Sequence, residues 1–495
     1  MHKRYENSEI SRIWSSENKL DLWQKTELAV ISAKENLGLV PAGTFQKISI
    51  HLGANAIDID WWLKRDKEVN HDLNAFLDER LRFLPIELQK YFHDGLTSYD
   101  TEEPAFAKML WDSLEILKEK IGSMRDILVA MARRYRYTIM NGRTHGQEAE
   151  LQSFGKRCLT WLQAFNLSTG NITGASESLE FSKLSGAIGN YRGIDAEVER
   201  EALRILRFAP FYGATQIMPR ELYAPIAQSL CQLVFTLNKI ALDIRLGARS
   251  GRPLWQEPFG KKQKGSSAMP HKKNTIATEQ IEGMARMAEG FFQMIMKNIV
   301  TWEERAIEQS CVERVAWPDL FHVAIHSIKT MAKVLEGLQV YPDNMILEII
   351  DSCGCYAAGE AKEFLRHHGA QFGLSTEDAY RIVQLAAFNA FKAAGWQKEA
   401  REKLCDSLAQ ADVMLIEAQC TIRQEPPSIQ DIIVECPMQT SNQLATSKED
   451  IEKWNEALAK IFIVPENYST WNNLFRPSNL LKGEATLFKE ILGDG

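Results

Sequence analysis

Apolar residues recur through much of the chain at alternating steps of four and three. The clearest run comprises Leu110, Leu114, Leu117, Ile121, Met124, Leu128 and Met131. The same spacing returns at Leu230, Leu233, Leu237, Ile240 and Ile244, and more loosely at Phe321, Ile325, Ile328 and Leu335. Narrow apolar seams of this kind are typical of long helices that pack nearly aligned in a bundle. Alternating strand patterns are scarce, so the sequence predicts an all-α fold.

Breaks in the pattern divide the chain. Helical spacing also covers residues 13–37 and 66–92, and Pro104 suits the first turn of the helix that follows. Tyr341-Pro342 marks the start of a further helical segment. We therefore expect three helical domains, formed by residues 1–109, 110–340 and 341–495.

Four polar segments lie between the predicted helices, at residues 141–147, 183–189, 209–220 and 263–274. The last of these segments contains a glycine, hydroxyls, a proline, an imidazole, ammonium groups and an amide, but few apolar side chains. This composition predicts a functional loop. The spacing of Gly260 and Gly265 resembles that of a phosphate-binding P-loop. However, Ser266 occupies the position of the P-loop lysine and no strand precedes it, which excludes that motif.

Composition narrows the function classes. The 495 residues are 25% charged and 45% hydrophobic, as in ordinary globular proteins, and the formal net charge of −7 argues against a nucleic-acid partner. Eight cysteines without a CxxC pattern predict reduced thiols in a cytoplasmic protein. The N-terminus lacks a signal-peptide pattern and no apolar run could span a bilayer, so we expect no membrane partner.

The polar segments contain residues that can exchange protons at neutral pH. His145 lies in a turn beside Thr144, where an imidazole can serve either as an acid–base group or as a structural cap. Ser266 becomes a base when its surroundings stabilise its alkoxide, which Lys272 and loop amides can do. A flexible Gly-Ser-Ser linker is the plain alternative, although the charged segment that follows is unlike a linker.

Arginines and a serine provide a candidate phosphate site. Arginine binds phosphate bidentately and serine adds a donor, although each residue alone could equally be a solvated surface group. The candidates are Arg4, Tyr5, Arg305, Ser310 and Arg314. His322 and His326 are one helical turn apart, but no cysteine or carboxylate set of metal-ligand spacing accompanies them. The sequence also lacks a dinucleotide fingerprint, so we expect neither a metal nor another cofactor.

The segment Gly265–Asn274 resembles the signature loop of the fumarase/aspartase superfamily, whose fold has a central long-helix bundle. Within that superfamily the chain resembles the adenylosuccinate lyase family from residue 4 to residue 390. The segments that carry this second resemblance are Arg4-Tyr5, His71-Asp72 with Ala75-Phe76, Gly95–Ser98 with Asp100, Gly142–Gln147, Thr215-Gln216 and Ser310–Arg314.

The resemblance implies a β-elimination that cleaves a C–N bond and releases fumarate. Adenylosuccinate would give AMP, and succinylaminoimidazole carboxamide ribotide would give its carboxamide product. Ser266 would be the general base and His145 the general acid, while Lys272 and Asn274 would bind the carboxylate whose charge rises in the aci-carboxylate intermediate. The succinyl part would contact Thr97, Ser98, Thr144 and Gln216, and the nucleotide would contact Arg4, Tyr5, His71, Asp72, Arg305, Ser310 and Arg314. The resemblance also implies a homotetramer in which each site is built from three subunits.

Some positions depart from the family pattern. Thr275 replaces a proline, Glu221-Leu222-Tyr223 replaces Asp-Arg-His, and the residues on both sides of Arg305 differ. These differences lie around the expected nucleotide side and leave the acid–base pair unchanged.

Two alternatives stay open. One is a related enzyme that acts on a diacid without phosphate, such as a carboxymuconate cycloisomerase, an argininosuccinate lyase or a fumarase-like hydratase. The other is a helical structural protein that has kept the fold without the activity.

Overall fold

The computed structural model describes residues 1–393, 428–435, 438, 444 and 446–493. The chain forms two compact units. Unit 1 comprises Met1–Ile127, Leu162–Leu246 and Glu257–Leu338, and unit 2 comprises Leu128–Trp161, Gly247–Gln256 and Gln339–Gly495. The division into three domains stays a prediction, and the third of those domains includes residues that lie outside the described ones.

Helices make up most of the described chain, which confirms the mostly helical fold. They begin with α1 (Ser8–Ile13), α2 (Ser16–Asn36), α3 (Thr44–Gly53), α4 (Ile59–Val69), α5 (Asp72–Leu81), α6 (Ile86–Gln89) and α7 (Ser98–Arg134). They continue with α8 (Phe154–Ser176), α9 (Ala196–Leu206), α10 (Ala224–Gly247), α11 (Ile276–Lys297) and α12 (Glu308–Glu336). The C-terminal part contains α13 (Pro342–Asp351), α14 (Ala358–Gly369), α15 (Thr376–Ala393), α16 (Ile429–Glu435), α17 (Lys448–Phe462), α18 (Pro465–Leu474), α19 (Pro477–Leu480) and α20 (Glu484–Leu492).

Capping residues explain where the helices begin. The predicted helix at residues 13–37 is divided between α1 and α2, because the Ser15 hydroxyl accepts a hydrogen bond from the Asn18 amide and so starts α2. Asp58 caps α4 in the same way, and His71 caps α5. The helical spacing of residues 66–92 accordingly corresponds to the end of α4, to α5 and to α6. Pro104 lies in the second turn of α7 and not in the first, because that helix already begins at Ser98.

Three small two-stranded sheets accompany the helices in the part of the chain that the structure describes. The strands are β1 (Ile139–Thr144), β2 (Gln147–Ser153), β3 (Phe181–Ser182), β4 (Ala209–Pro210), β5 (Trp255–Gln256) and β6 (Gln339–Val340). β1 and β2 are antiparallel, as are β5 and β6, whereas β3 and β4 are parallel. The sequence pattern did not predict these strands because most contain only two residues, and because β1 and β2 overlap a segment that reads as a polar break.

Each unit has its own aromatic core. In unit 1 the Phe106 ring lies 5.9 Å from the Trp14 ring, 5.3 Å from Tyr223 and 6.2 Å from Trp317. These contacts bring together α1 at its C-terminal end, α7, the start of α10 and α12. In unit 2 a separate cluster packs around the buried rings of Trp454 and Trp471. None of the helices in the described residues has the length and apolar character needed to cross a membrane.

Candidate active site

The signature loop precedes α11 in unit 1 and holds Ser266 in a local turn. The Oγ atom of Ser266 accepts hydrogen bonds from the backbone N–H groups of Ala268, at 3.3 Å, and Met269, at 3.1 Å. Both donors stabilise negative charge on that oxygen. The arrangement therefore favours the alkoxide form that a serine base requires.

The two ends of this loop are tied together. The Asn274 side-chain amide donates a 2.9 Å hydrogen bond to the Gly265 carbonyl oxygen. A Cβ atom on Gly265 would lie 1.9 Å from the Lys272 carbonyl oxygen, so only glycine fits at this position. In this structure the Asn274 amide therefore shapes the loop, while the Lys272 side chain is exposed.

A carboxylate fixes the exit of the loop, where Thr275 stands in place of the family's proline. The Glu257 carboxylate accepts hydrogen bonds from the backbone N–H groups of Ala277, at 3.1 Å, and Thr278, at 2.7 Å. These are free N–H groups of the first turn of α11, and a carboxylate there is also favoured by the helix dipole. Glu257 thus orders the start of α11 without a proline.

In unit 2, His145 occupies the tip of the β1–β2 hairpin. Thr144 pairs with Gln147 across the hairpin, so His145 and Gly146 form a two-residue turn. Their φ angles are +53° and +78°, as a type I′ turn requires. The imidazole is exposed at the tip.

An ion-pair cluster anchors this hairpin to α13. The Arg143 guanidinium lies 3.0 Å from a Glu148 carboxylate oxygen and 2.7 Å from a Glu348 carboxylate oxygen. The Asn141 amide donates a 3.2 Å hydrogen bond to the backbone carbonyl oxygen of Glu348. Burial raises the pKa of Glu148, the charge of Arg143 opposes this shift, and the charge of Glu348 adds to it. The hairpin that carries His145 is therefore held to α13 through two residues of β1, and Glu148 of β2 pairs with one of them.

A buried ion pair within unit 1 joins two of the predicted polar segments, at residues 183–189 and 209–220, to the start of α7. The Lys183 ammonium lies 2.8 Å from a carboxylate oxygen of Asp100, and both side chains are fully buried. The same ammonium donates hydrogen bonds to the backbone carbonyl oxygens of Gly186 and Gln216. The other Asp100 oxygen accepts a 2.9 Å hydrogen bond from the Thr97 amide. The structure thus brings Thr97 and Gln216, two of the predicted succinyl contacts, into one network, and Ser98 follows as the first residue of α7.

Arg305 extends this network toward α7. Its guanidinium donates a 3.0 Å hydrogen bond to the side-chain oxygen of Gln216 and lies 4.2 Å from the centre of the Tyr99 ring. Its Nε atom is buried and has no hydrogen-bond partner in the structure. A buried donor without a partner is unfavourable, so Arg305 has an N–H group available for a ligand.

A cavity of about 270 Å³ lies next to Tyr99 in unit 1. Three of the predicted nucleotide residues, Asp72, Ser310 and Arg314, line it. The Arg314 guanidinium lies 2.8 Å from a carboxylate oxygen of Asp72, and the Lys19 ammonium lies 3.6 Å from the same oxygen. Further lining residues are Trp14, Ser16, Trp23, Tyr99, Glu102, Glu103, Phe106, Met109, Arg220 and Glu313. The cavity therefore combines an aromatic floor with closely spaced charges.

The structure places the other predicted residues elsewhere. Arg4 is exposed, and the Tyr5 ring packs 5.1 Å from the ring of His326 on α12. The His71 imidazole accepts a 3.3 Å hydrogen bond from the Asn74 amide and caps α5, directly before Asp72. Thr144 is exposed at the end of β1. The contacts of these residues do not include the cavity, and their roles in substrate binding stay predictions.

The segment that departs from the family pattern contributes to a buried network. The Arg220 guanidinium lies 2.5 Å from Glu103 and 2.8 Å from Glu313, and the Tyr223 hydroxyl donates a 3.1 Å hydrogen bond to Glu103. Burial raises the pKa of Tyr223, so its hydroxyl remains a donor. Tyr223 also contacts Phe106. The substituted segment therefore supports the wall of the cavity.

Sequence reasoning missed Lys19, Tyr99, Lys183 and Glu102. The first three lie in helical or polar stretches of sequence that give no sign of a site, and only the fold shows which residues they contact. Glu102 did carry a signal, because it precedes Phe106 by four residues and Leu110 by eight on the seam face of α7. A carboxylate at such a position is unusual and indicates either a buried ion pair or a site.

Known proteins of similar sequence and structure define the class. The family model described as lyase matches residues 25–290. Adenylosuccinate lyase of Thermotoga maritima is 34% identical over 406 residues, which cover 82% of this chain and 92% of that protein. Adenylosuccinate lyase of Bacillus subtilis is 31% identical over 417 residues, which cover 83% and 94%.

Solved structures of low identity share the fold. Carboxymuconate cycloisomerase from Acinetobacter calcoaceticus has a TM-score of 0.75 and 18% identity, and the match covers 99% of this chain and 98% of that one. Fumarate lyase from Mesorhizobium has a TM-score of 0.72 and 21% identity, covering 96% and 99%. The fold is therefore that of the fumarase/aspartase superfamily, and the protein is a lyase. The chain belongs to the adenylosuccinate lyase family, whose members cleave a C–N bond.

Proposed function

We propose that this protein cleaves adenylosuccinate to AMP and fumarate, and succinylaminoimidazole carboxamide ribotide to its carboxamide product and fumarate. Support comes from relatives named adenylosuccinate lyase that match most of the chain. The single observation that carries the chemistry is the pair of hydrogen bonds that the Ser266 hydroxyl oxygen accepts from backbone N–H groups. The departures around the nucleotide side make a direct test of the substrate necessary.

In the first step, the alkoxide of Ser266 removes the proton beside a carboxylate of the succinyl group. The electron pair left on that carbon is delocalised into the carboxylate, which becomes the aci-carboxylate. Lys272 supplies a positive charge for this dianionic group, and the loop amides favour the starting alkoxide. The loop is closed by Gly265 and Asn274, so the base stays fixed relative to its donors.

In the second step, the electron pair forms the double bond of fumarate and the C–N bond breaks. His145 gives its proton to the departing nitrogen, which becomes the exocyclic amino group of AMP or the carboxamide NH2 group of the second product. The hairpin anchored by Arg143 holds the imidazole at an exposed tip. The proton on Ser266 and the missing proton on His145 then exchange with water, which restores the starting state.

The cavity of unit 1 is the proposed binding site of the nucleotide. Arg314 and Ser310 line it, and Arg305 has an unpaired buried N–H group beside Tyr99. Arginine and serine donors suit phosphate oxygens. The aromatic floor suits the flat purine ring.

We also propose a cytoplasmic homotetramer with sites shared between subunits. The outward face of α10 exposes Phe235, Leu242 and Leu246 by 43%, 49% and 48%, at spacings of seven and four residues. An apolar stripe at helical spacing suits burial against another copy of the chain.

The described cysteines are free thiols, as in a reducing compartment, while Cys405, Cys420 and Cys436 lie outside the described residues. Light scattering gives the mass of the assembly directly.

The decisive experiment is turnover of adenylosuccinate by the purified protein, with AMP and fumarate both quantified. Equal release of the two products supports the proposal. No release from folded protein, together with turnover of argininosuccinate or carboxymuconate, would place the enzyme with the alternatives that lack phosphate. No turnover of any of these substrates would favour a structural protein.

A further inference from the structure

One carboxyl group in the cavity of unit 1 has no part in the reaction described above. Glu102 lies on α7, is half-buried and lines the cavity beside Asp72 and Arg314. It makes no hydrogen bond and no ion pair with the residues that the structure describes. A carboxyl group in a cavity without a protein partner is unfavourable unless a ligand or a proton satisfies it.

The other charged groups of the cavity are already engaged. Arg314 and Lys19 both approach the same oxygen of Asp72, at 2.8 Å and 3.6 Å. Arg220 binds Glu103 and Glu313, the two remaining acidic residues of the lining. Glu102 is thus the acidic lining residue that takes part in none of these ion pairs.

The surroundings of Glu102 favour its neutral form. Four charged groups on other elements face it, namely Lys19 of α2, Asp72 of α5, Arg305 before α12 and Arg314 of α12. Burial raises the pKa of Glu102 to about 8, and the charge of Asp72 acts in the same direction, whereas the three cations oppose it. At neutral pH the group is therefore a carboxylic acid, which can donate a hydrogen bond.

We propose that Glu102 is a specificity-determining residue of the cavity, whose protonated carboxyl group donates a hydrogen bond to the phosphate of the bound nucleotide and whose ionisation weakens that binding. The proposal rests on the proposed function, because it places the phosphate in this cavity. A carboxylic acid supplies an O–H donor to a phosphate oxygen, and no atom is transferred. An ionised Glu102 would instead add a second negative charge close to the phosphate, beside that of Asp72.

The first test is the affinity of the wild-type protein for AMP between pH 7 and pH 9, measured by calorimetry. The phosphate of AMP is already a dianion through most of this range. Binding to the protonated form alone predicts an affinity about tenfold lower at pH 9 than at pH 7, because the protonated fraction of Glu102 falls by that factor around its pKa. Adenosine, which lacks the phosphate, should show no such dependence.

Variants separate Glu102 from other titrating groups. Glu102→Gln keeps a neutral donor of the same shape, so its AMP affinity should change by less than about twofold between pH 7 and pH 9 and should exceed the wild-type affinity at pH 9. Burial lowers the pKa of Lys19, but Lys19 is present in both proteins and its contribution is common to both profiles. Glu119→Gln, at an exposed position of the same helix, is the matched control and should behave as wild type.

Proton uptake tests the proposal in the wild-type protein, without any variant. Calorimetry of AMP binding at pH 8 in buffers of different ionisation enthalpy should give uptake of about half a proton per site, since half of the free sites are then ionised. No uptake, or identical pH profiles for wild type and Glu102→Gln, overturns the proposal while leaving the lyase function intact. Failure of wild type to bind AMP at any pH, with no turnover of adenylosuccinate, overturns both.

Discussion

The side-chain amide of Asn274 donates a hydrogen bond of 2.9 Å to the carbonyl oxygen of Gly265, nine residues earlier in the chain. The bond closes the segment that contains Ser266 and brings Gly265 against the Lys272 carbonyl group. Asn274 thus has a positioning role that is visible without a ligand, in addition to the carboxylate contact that the family resemblance implies.

Asn274→Asp should therefore impair catalysis more than folding. Aspartate has the same shape but cannot donate to the Gly265 carbonyl oxygen and places a negative charge beside it. We expect kcat to fall by about a hundredfold, an effect of about 3 kcal/mol on the barrier, while the melting temperature changes by less than about 3 °C. Asn479→Asp removes a similar side-chain-to-backbone hydrogen bond at an exposed position and serves as the control. Equal effects of the two changes on kcat would contradict the role given to Asn274.

Ser266→Ala should abolish turnover. The variant removes the proposed base and leaves the loop backbone intact, so we expect kcat to fall by about a thousandfold or more. The neighbouring Ser267 is exposed, and Ser267→Ala should retain kcat within about threefold. Kinetics and thermal melting of both variants provide the measurement. A parallel loss of activity and folding in Ser266→Ala would indicate that this serine is structural.

His145→Asn should remove the general acid while keeping the hairpin. Asparagine tolerates the positive φ of this turn better than most residues, so the melting temperature should stay within about 2 °C. We expect kcat to fall by about a hundredfold to ten-thousandfold.

Mixing subunits tests how the catalytic sites are assembled. Sites shared between subunits predict that co-expressed Ser266→Ala and His145→Asn chains regain activity, because some sites then combine an intact serine with an intact histidine. Mixed assemblies that stay as inactive as either variant alone would show that one subunit supplies both groups. Activity should be measured on purified mixed assemblies, with each single variant as the baseline.

Arg314→Ala should weaken binding of the phosphorylated substrate. The guanidinium lines the cavity and its loss leaves Asp72 with Lys19 as its remaining cationic partner. We expect KM for adenylosuccinate to rise by about tenfold to a hundredfold, because a charge-assisted hydrogen bond contributes about 1.5–3 kcal/mol. Arg200→Ala, at an exposed position of α9, should leave KM unchanged. An unaltered KM in Arg314→Ala would exclude this arginine from phosphate binding.

Asp378→Asn should reduce stability in a pH-dependent way. Burial alone would raise the pKa of Asp378, but hydrogen bonds from Lys453, Trp454 and Ser375 outweigh it and hold the pKa well below its usual range. A lowered native pKa contributes stability above the unfolded value of about 4, and this contribution is lost as the pH falls toward the native value. The wild-type protein should therefore exceed the variant by about 2 kcal/mol at pH 7, with a shrinking difference below pH 4.

Urea unfolding at pH 7, 5 and 3.5 checks this dependence. Asp126→Asn, at an exposed position of α7, should match wild type at all three values. A difference between wild type and Asp378→Asn that stays constant with pH would show that the charge of Asp378 does not contribute.

The helical seams could be predicted because burial requires them. Leu114, Leu117, Leu237 and Ile325 are all buried, as their spacing indicates. The signature loop was also evident from its composition. The hairpin around His145 was not, since its strands lack a continuous alternating pattern, although a two-residue turn containing Gly146 was a usable signal. The network of Asp100 and Lys183 joins residues far apart in the chain, and only tertiary packing brings them together.

The hairpin that carries His145 also limits how the chain can change over generations. Successive strand residues point to opposite faces, so one residue inserted into or deleted from the turn between β1 and β2 would turn the imidazole away from its present side. Longer loops tolerate gains and losses of length, whereas a two-residue turn cannot change its length without changing the pairing of its strands. Sequences descended from this one should therefore vary in the residues that flank the turn, but keep the number of residues between Arg143 and Glu148.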